Sequence, residues 1–326
     1  GVRGKSHGFG RGCLGCWVDP KQVANSVYLE QLAGAFGLAM VPFNWGQIEK
    51  QRGAYDFSKL DACISLLSKR KLAIGAGPLL CFSKEYLPKW LLESHADFEK
   101  IRECAYEFVS AAAARYGGMV RTWCVVSGLN AFNHFGFGFE QVLEITRAAN
   151  RAVKAASERA LRIIEVSNPW GEYYGQTADT IPPLVYMDMV IQSGINFDAF
   201  GLAMRFGVDE SGMYVRDMMQ ISAILDSYAP ISRPIYITNV EVPGCNSAAE
   251  VAGFWHGPWD KVKQAEWLDQ FYKIALSKAC IDGVMYSNLT DVADGIVPES
   301  GLMTAGLEPK ESYLALKRFH DRIFGR

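Results

Sequence analysis

The chain has 326 residues, 49% of them hydrophobic, and a formal net charge of −2 with a sequence pI of about 6.3. This composition can build a large core, so it is compatible with one α/β barrel or with two smaller domains. The near-balanced charge argues against nucleic acid or an anionic membrane as a partner, and no apolar run reaches the roughly 20 residues that span a bilayer.

The start of the chain, at Gly1, has neither an initiator methionine nor a signal-like apolar segment. We therefore expect the start to be a processed boundary, which leaves open that the chain comes from a longer protein. Since no linker or low-complexity run interrupts residues 1–326, we expect them to form a single domain. The compartment is not readable from these residues.

The first candidate strand is CLGCWV (13–18), which holds Cys13 and Cys16 at C-x-x-C spacing. Zinc binding or redox chemistry is one interpretation of this spacing. No second pair or His-x-His partner accompanies it, and cysteine is among the most frequently buried residue types. We favour reduced core cysteines and expect neither a metal nor a cofactor.

Short apolar or β-branched runs predict seven further strands along the chain. They cover residues 38–45, 72–80, 121–128, 161–167, 198–206, 234–242 and 283–289.

Stretches with apolar residues at helical spacing lie between these strands. They cover residues 57–70, 98–116, 139–156, 214–228, 263–279 and 309–324. Strands that alternate with helices of this length indicate βαβ units on a parallel sheet. Eight such units predict a closed (β/α)₈ TIM barrel.

Polar and aromatic residues follow the predicted strands at their C-terminal ends, where a barrel of this type carries its functional site. Aromatic faces stack on the C–H surfaces of sugar rings, and planar polar groups bond sugar hydroxyls, so this mixture hints at carbohydrate. The residues are Asn44, Trp45, Phe82, Ser83, Ser127, Asn130, Asn168, Trp170, Glu172, Arg205, Asn239, Glu241, Tyr286, Asn288 and Asp291.

Several segments, in order, resemble glycoside hydrolase family 10, the xylanase-type barrel. The segment at 43–72, which begins FNWGQIEKQRG, is similar to the family's second strand and the helix after it. ARYGGMVRTWCVVSGLNAF (114–132) is similar to the run into strand four, and RPIYITNVEV (233–242) to strand seven. The endings IDGVMYSNLTD (281–291) and GLMTAGLEPKESYLAL (301–316) are similar to the final strand and the family's C-terminus.

The resemblance implies a retaining mechanism with two carboxylates about 5 Å apart. Matched position by position, the acid/base falls on Gly128 and the nucleophile on Asn239. Glycine cannot donate a proton and an amide cannot form the glycosyl ester, so ordinary xylanase chemistry is not expected.

The matched sugar-contacting positions have changed as well. The family's Asn-Glu-x-Lys falls on residues 41–44, and its Gln-x-His of strand six falls on residues 203–205, which places Arg205 at the histidine. Trp45, Glu241 and Asp291 are the members of the matched pocket that survive.

Three hypotheses remain open. The first is a family 10-like barrel that binds an oligosaccharide or polysaccharide without hydrolysing it. The second is an active glycoside hydrolase with relocated acids, Glu172 and Glu241, one of them oriented by Arg205; the alternative is an internal ion-pair network. The third is a purely structural barrel. The resemblance makes an extracellular or periplasmic location the expectation, and the oligomeric state is open.

Overall fold

The computed structural model describes residues 11–70, 72–209, 212–246 and 252–324. Eight parallel strands close into a barrel in which every strand pairs with its neighbours in chain order, and β8 pairs with β1. The predicted (β/α)₈ TIM barrel is therefore confirmed.

The eight strands lie where the sequence predicts them, but most are shorter because their ends turn into loops. The strands are β1 Leu14–Trp17, β2 Leu38–Pro42, β3 Ala73–Gly77, β4 Thr122–Ser127, β5 Leu161–Ser167, β6 Ala199–Arg205, β7 Ile235–Glu241 and β8 Ile281–Tyr286.

The described helices pack outside the barrel or in the loops between strands. They are α1 Ser26–Ala35, α2 Trp45–Ile48, α3 Ser58–Ser68, α4 Lys89–Glu93, α5 Phe98–Tyr116, α6 Phe139–Ala156, α7 Pro183–Gln192, α8 Met218–Tyr228, α9 Lys261–Ser277 and α10 Glu311–Phe324. The sequence predicts six of these. It misses α1, α2, α4 and α7, of which α2 and α4 are too short to show a helical period.

Helix α6 shows how the sequence sets these elements. Val142, Ile145, Ala149 and Val153 recur at three- to four-residue spacing and are buried, so one face packs on the sheet while the other meets water. Helix α5 packs beside α6 and begins at Asp97, whose carboxylate accepts the backbone N–H of Lys100 at 2.9 Å. That bond satisfies one of the N–H groups that a helix start leaves open.

Two apolar clusters form the core. The larger one joins the helices to the outer face of the strands. The smaller one is built from strand residues that include Trp17, Met40, Ile163 and Met285. Because all strands are parallel, their C-terminal ends meet at one end of the barrel.

Candidate functional site

A cavity of about 620 Å³ opens among the C-terminal ends of the strands and the loops that follow them. Its lining draws residues from all eight strand–loop units. This volume lies within the usual range for small-ligand pockets. Seven of the strand-end residues named from the sequence line it: Ser83, Ser127, Asn168, Arg205, Asn239, Glu241 and Asn288.

Glu241, at the end of β7, is 4% exposed and is surrounded by donors. Its Oε1 lies 3.3 Å from Nε of Arg205, the residue beside it on β6. Its Oε2 accepts hydrogen bonds from Asn288 Nδ2 at 3.0 Å and from Ser300 Oγ at 2.9 Å. A buried carboxylate is tolerated because these partners replace its hydration.

Asn239 lies two residues before Glu241 on the same strand and pairs with Ala203 on β6. Its Oδ1 accepts a hydrogen bond from Ser287 Oγ at 2.9 Å. The position matched to the family's nucleophile is therefore in the cavity, but an uncharged amide occupies it.

Glu165 is a second carboxyl group in the cavity lining, contributed by β5. It is 4% exposed and accepts a hydrogen bond from Ser127 Oγ through Oε1. Its Oε2 is buried without a hydrogen-bond partner among the described residues. Burial raises the pKa of this carboxyl group, against the opposing effects of the Ser127 hydroxyl and the Arg205 charge.

Gly128, the position matched to the family's acid/base, follows β4 with a φ of +64°. A Cβ built there would lie 2.5 Å from Cδ2 of Phe132 and 2.7 Å from Oγ of Ser167. Real Cβ atoms do not approach other atoms so closely, so no side chain fits at this position without movement of its neighbours.

Three aromatic side chains that the sequence predicts as sugar contacts are buried outside the cavity lining. Trp45 is 1% exposed, stacks on Phe108 and donates its indole N–H to Glu49. Phe82 and Tyr286 are likewise buried. Phe82 packs against two further phenylalanine rings, and the Tyr286 hydroxyl donates to the Ser300 carbonyl at 2.6 Å. Large aromatics after a strand serve the core here.

Three polar side chains that the sequence predicts as sugar contacts bond other groups of the protein and lie outside the cavity lining. Asn44 caps α2 by accepting the N–H of Gln47 at 3.0 Å. Asn130 is fully buried and bonds both backbone groups of Ser167. Asp291 holds the buried Lys310 at 2.6 Å. None of these groups is available to a ligand in this arrangement.

Glu172 and Trp170 belong to the loop after β5 and do not line the cavity that Glu241 lines. Glu172 pairs with Arg216 and accepts the backbone N–H of Gly212 at 2.8 Å. The Arg216 guanidinium also lies over the Trp170 ring, 5.0 Å from its centre. Glu172 therefore has Arg216 as its partner, whereas Arg205 lies against Glu241, and an acid pair of Glu172 with Glu241 stays a prediction.

The ring of predicted residues omits three aromatic members of the lining, Trp17, Tyr86 and Phe132. Trp17 ends β1, and its indole N–H donates to the Thr238 carbonyl at 2.7 Å. The sequence carried a signal for Trp17, since it closes the first predicted strand. Tyr86 comes from the segment between β3 and α4, where no periodic pattern marks it.

The cysteine pair lies in the core rather than at the cavity. Cys13 and Cys16 are buried, burial raises the pKa of the Cys16 thiol, and its Sγ lies 3.3 Å from the Trp17 carbonyl. Within the described residues, no group of three or more His, Cys, Asp or Glu side chains could hold a metal ion. Helices long and apolar enough to cross a membrane are also absent from the described part of the chain.

Comparison with known proteins gives a family match over most of the chain. The sequence model of Glycosyl hydrolase family 10 matches residues 9–316. One curated protein, the beta-galactosidase BgaH of Haloferax lucentense, is 37% identical over 65 residues. That match covers 20% of this chain and only 9% of the length of BgaH.

Solved structures share the fold along nearly the whole chain. Xylanase 10B of Thermotoga petrophila RKU-1, in complex with xylobiose, has a TM-score of 0.72 at 18% identity, covering 95% of this chain and 94% of that one. Native xylanase 10B of Thermotoga maritima has the same TM-score and identity, covering 96% of each chain. A psychrophilic family 10 endo-beta-1,4-xylanase has a TM-score of 0.74 at 17% identity, covering 94% of this chain and 96% of that one.

Proposed function

We propose that this chain, which belongs to glycosyl hydrolase family 10, binds a carbohydrate in its strand-end cavity without the family's hydrolysis. The observation that carries the proposal is the pair Gly128 and Asn239 at the two positions matched to the catalytic carboxylates. Glycosidic hydrolysis needs about 8–23 kcal/mol of transition-state stabilisation, and a site without acid and nucleophile cannot supply it in the retaining manner.

The surroundings of Gly128 support the loss of the acid at this position. The space that an acid side chain needs there is filled by the Phe132 ring and the Ser167 hydroxyl. The binding part of the proposal is supported by the cavity itself, where amides, hydroxyls and a guanidinium lie beside Trp17 and Tyr86. Polar groups that fix orientation among apolar walls are typical of ligand sites.

The test is isothermal titration calorimetry with xylotetraose, cellotetraose and mannotetraose, joined to an assay of reducing-sugar release. We expect binding of at least one oligosaccharide and no release from any. A matched pair of variants locates the site: Asn288→Ala, in the lining, weakens binding, whereas Asn44→Ala, outside it, leaves affinity unchanged. If no oligosaccharide gives heat, the binding proposal fails.

An active hydrolase with relocated acids is the second candidate, because Glu165 and Glu241 line the same cavity in different surroundings. Burial raises the pKa of Glu165, and a carboxyl group with a raised pKa can serve as a general acid beside a second carboxylate. Against it, Oε1 of Glu165 is occupied by Ser127 and its Oε2 is buried. Reducing-sugar release that disappears in Glu165→Gln and Glu241→Gln would establish this candidate, and release unchanged in both would remove it.

A further inference from the structure

Arg205 presents donors to the cavity that the protein itself does not use. Its side chain is 31% exposed, and its Nε lies 3.3 Å from Oε1 of Glu241. Its two Nη groups make no hydrogen bond to any residue in the described ranges. A guanidinium held by one edge is fixed in orientation, and its other edge is left to bind a ligand.

Asn239 adds a second set of unengaged donors to the same cavity. Its Oδ1 is occupied by Ser287 Oγ at 2.9 Å, while its Nδ2 has no hydrogen-bond acceptor in the described part of the chain. Donors from β6 and β7 thus converge where the family places a carboxylate.

The acids of the cavity are poorly placed to oppose an incoming anion. Glu241 already receives Arg205, Asn288 and Ser300. Burial raises the pKa of Glu165, which favours its neutral form. Glu85, also in the lining, is exposed, so water and salt screen its charge.

We propose that the strand-end cavity recognises an acidic sugar unit, whose carboxylate or sulfate oxygens accept hydrogen bonds from Arg205 Nη and Asn239 Nδ2. The planar fork of arginine matches two oxygens of such a group, and charge-assisted bonds of this kind are about twice as strong as neutral ones. This inference rests on the proposed carbohydrate binding and names the class of sugar that binds.

The experiment uses matched pairs of sugars that differ by one acidic group. Calorimetry at constant ionic strength compares glucuronate with glucose, galacturonate with galactose, and cellobiouronic acid with cellobiose. Cellobiose 6-sulfate forms a further arm that distinguishes a sulfate ester from a carboxylate. Since a hydrogen bond to a charged group contributes about 1.5–3 kcal/mol, the preferred acidic sugar should bind at least about tenfold more tightly than its neutral partner.

Three variants test the residues. Arg205→Gln should abolish the acidic preference, and Arg205→Lys, which keeps the charge but loses the fork, should reduce it. Asn239→Asp should remove it by repulsion, so that the affinity for the acidic sugar falls to or below that for its neutral partner. This variant leaves the Arg205–Glu241 pair in place, so it tests the proposal even if Arg205→Gln does not fold. Arg151→Gln, on the exposed face of α6, is the control and should keep the preference.

Neutral sugars that bind as tightly as their acidic partners would overturn this inference and leave the proposed function standing. The same holds for an acidic preference that persists in Arg205→Gln and Asn239→Asp. If neither acidic nor neutral sugars bind, the proposed function and this inference fail together.

Discussion

The two sides of the strand-end cavity differ in how far their polar groups are already satisfied. On the β4–β5 side, Ser127 bonds Glu165, Asn130 bonds Ser167, and Gly128 has no room for a side chain. On the β6–β8 side, Arg205 and Asn239 keep donors that no described residue accepts. Both sides carry polar residues at strand ends. The polar groups of the β4–β5 side, apart from Glu165 Oε2, are bonded within the protein, whereas the β6–β8 side keeps donors for a ligand.

The two positions matched to the family's catalytic carboxylates therefore lie in different surroundings. Gly128 is enclosed by its neighbours, so it is part of a packed wall. Asn239 stands in the cavity with an accessible amide, so it is part of a binding surface. Mutations on the β4–β5 side should therefore change stability, and mutations on the β6–β8 side should change binding.

The largest expected effect separates two asparagines. Asn130→Ala leaves the buried backbone groups of Ser167 unbonded, and we expect the free energy of unfolding to fall by about 2–3 kcal/mol. Asn239→Ala removes one bond at a partly exposed site and should stay within about 0.5 kcal/mol of wild type. Urea denaturation followed by tryptophan fluorescence measures both. Equal losses in the two variants would contradict the division into two sides.

The next effect measures how much the close packing around Gly128 destabilises a side chain at that position. Gly136 has the same φ of +64°, but a Cβ there would only reach ordinary contact with Asp179 at 3.4 Å. Both glycine-to-alanine variants incur the left-handed backbone cost, so their difference measures the overlap with Phe132 and Ser167. We expect Gly128→Ala to be less stable than Gly136→Ala by about 1–3 kcal/mol. Indistinguishable denaturation midpoints of the two variants would show that Phe132 and Ser167 move aside at little cost in stability.

A smaller effect concerns the pH dependence that Glu165 gives to stability. Because burial raises its pKa in the folded state, its favourable contribution is complete below the unfolded pKa and is lost as pH rises through the folded pKa. Glu165→Gln cannot ionise and does not lose this contribution. Its free energy of unfolding should therefore increase relative to that of wild type as pH rises from about 4.5. Denaturation at a series of pH values measures the difference. A constant difference across the series would mean that Glu165 does not change its charge there.

The smallest expected effect is none at all. Asn239→Glu restores a carboxylate at the matched nucleophile position, but Gly128 still supplies no acid, so reducing-sugar release from β-1,4-xylan should stay at background. A family 10 xylanase assayed beside it verifies the substrate. Hydrolysis by this single variant would show that the β4–β5 side is not the obstacle.

The barrel could be predicted from the sequence because each strand carries its own apolar run and each long helix its own period. Short helices such as α2 and α4 were not predicted, because a helix of about one turn is too short to show a repeat of apolar residues. The ends of β2 and β3 were placed too late because loop residues such as Trp45 are as apolar as the strands.

The site could be predicted only by position along the chain. The strand-end rule brought Arg205, Asn239, Glu241 and Asn288 together correctly, since side chains at the ends of β6, β7 and β8 meet at one rim. The same rule wrongly included Trp45, because whether a side chain turns to the cavity or to the core depends on how the loops pack. That packing involves distant partners such as Phe108, which no local pattern identifies.

The crowding around Gly128 restricts which substitutions this position accepts. Under the proposed function, one substitution at position 128 does not supply an acid, because Phe132 and Ser167 fill the space that its side chain needs. A glutamate at position 128 would fit only if the side chains of Phe132 and Ser167 moved aside. Efforts to rebuild activity should therefore begin by making space on the β4–β5 side and only afterwards add carboxylates.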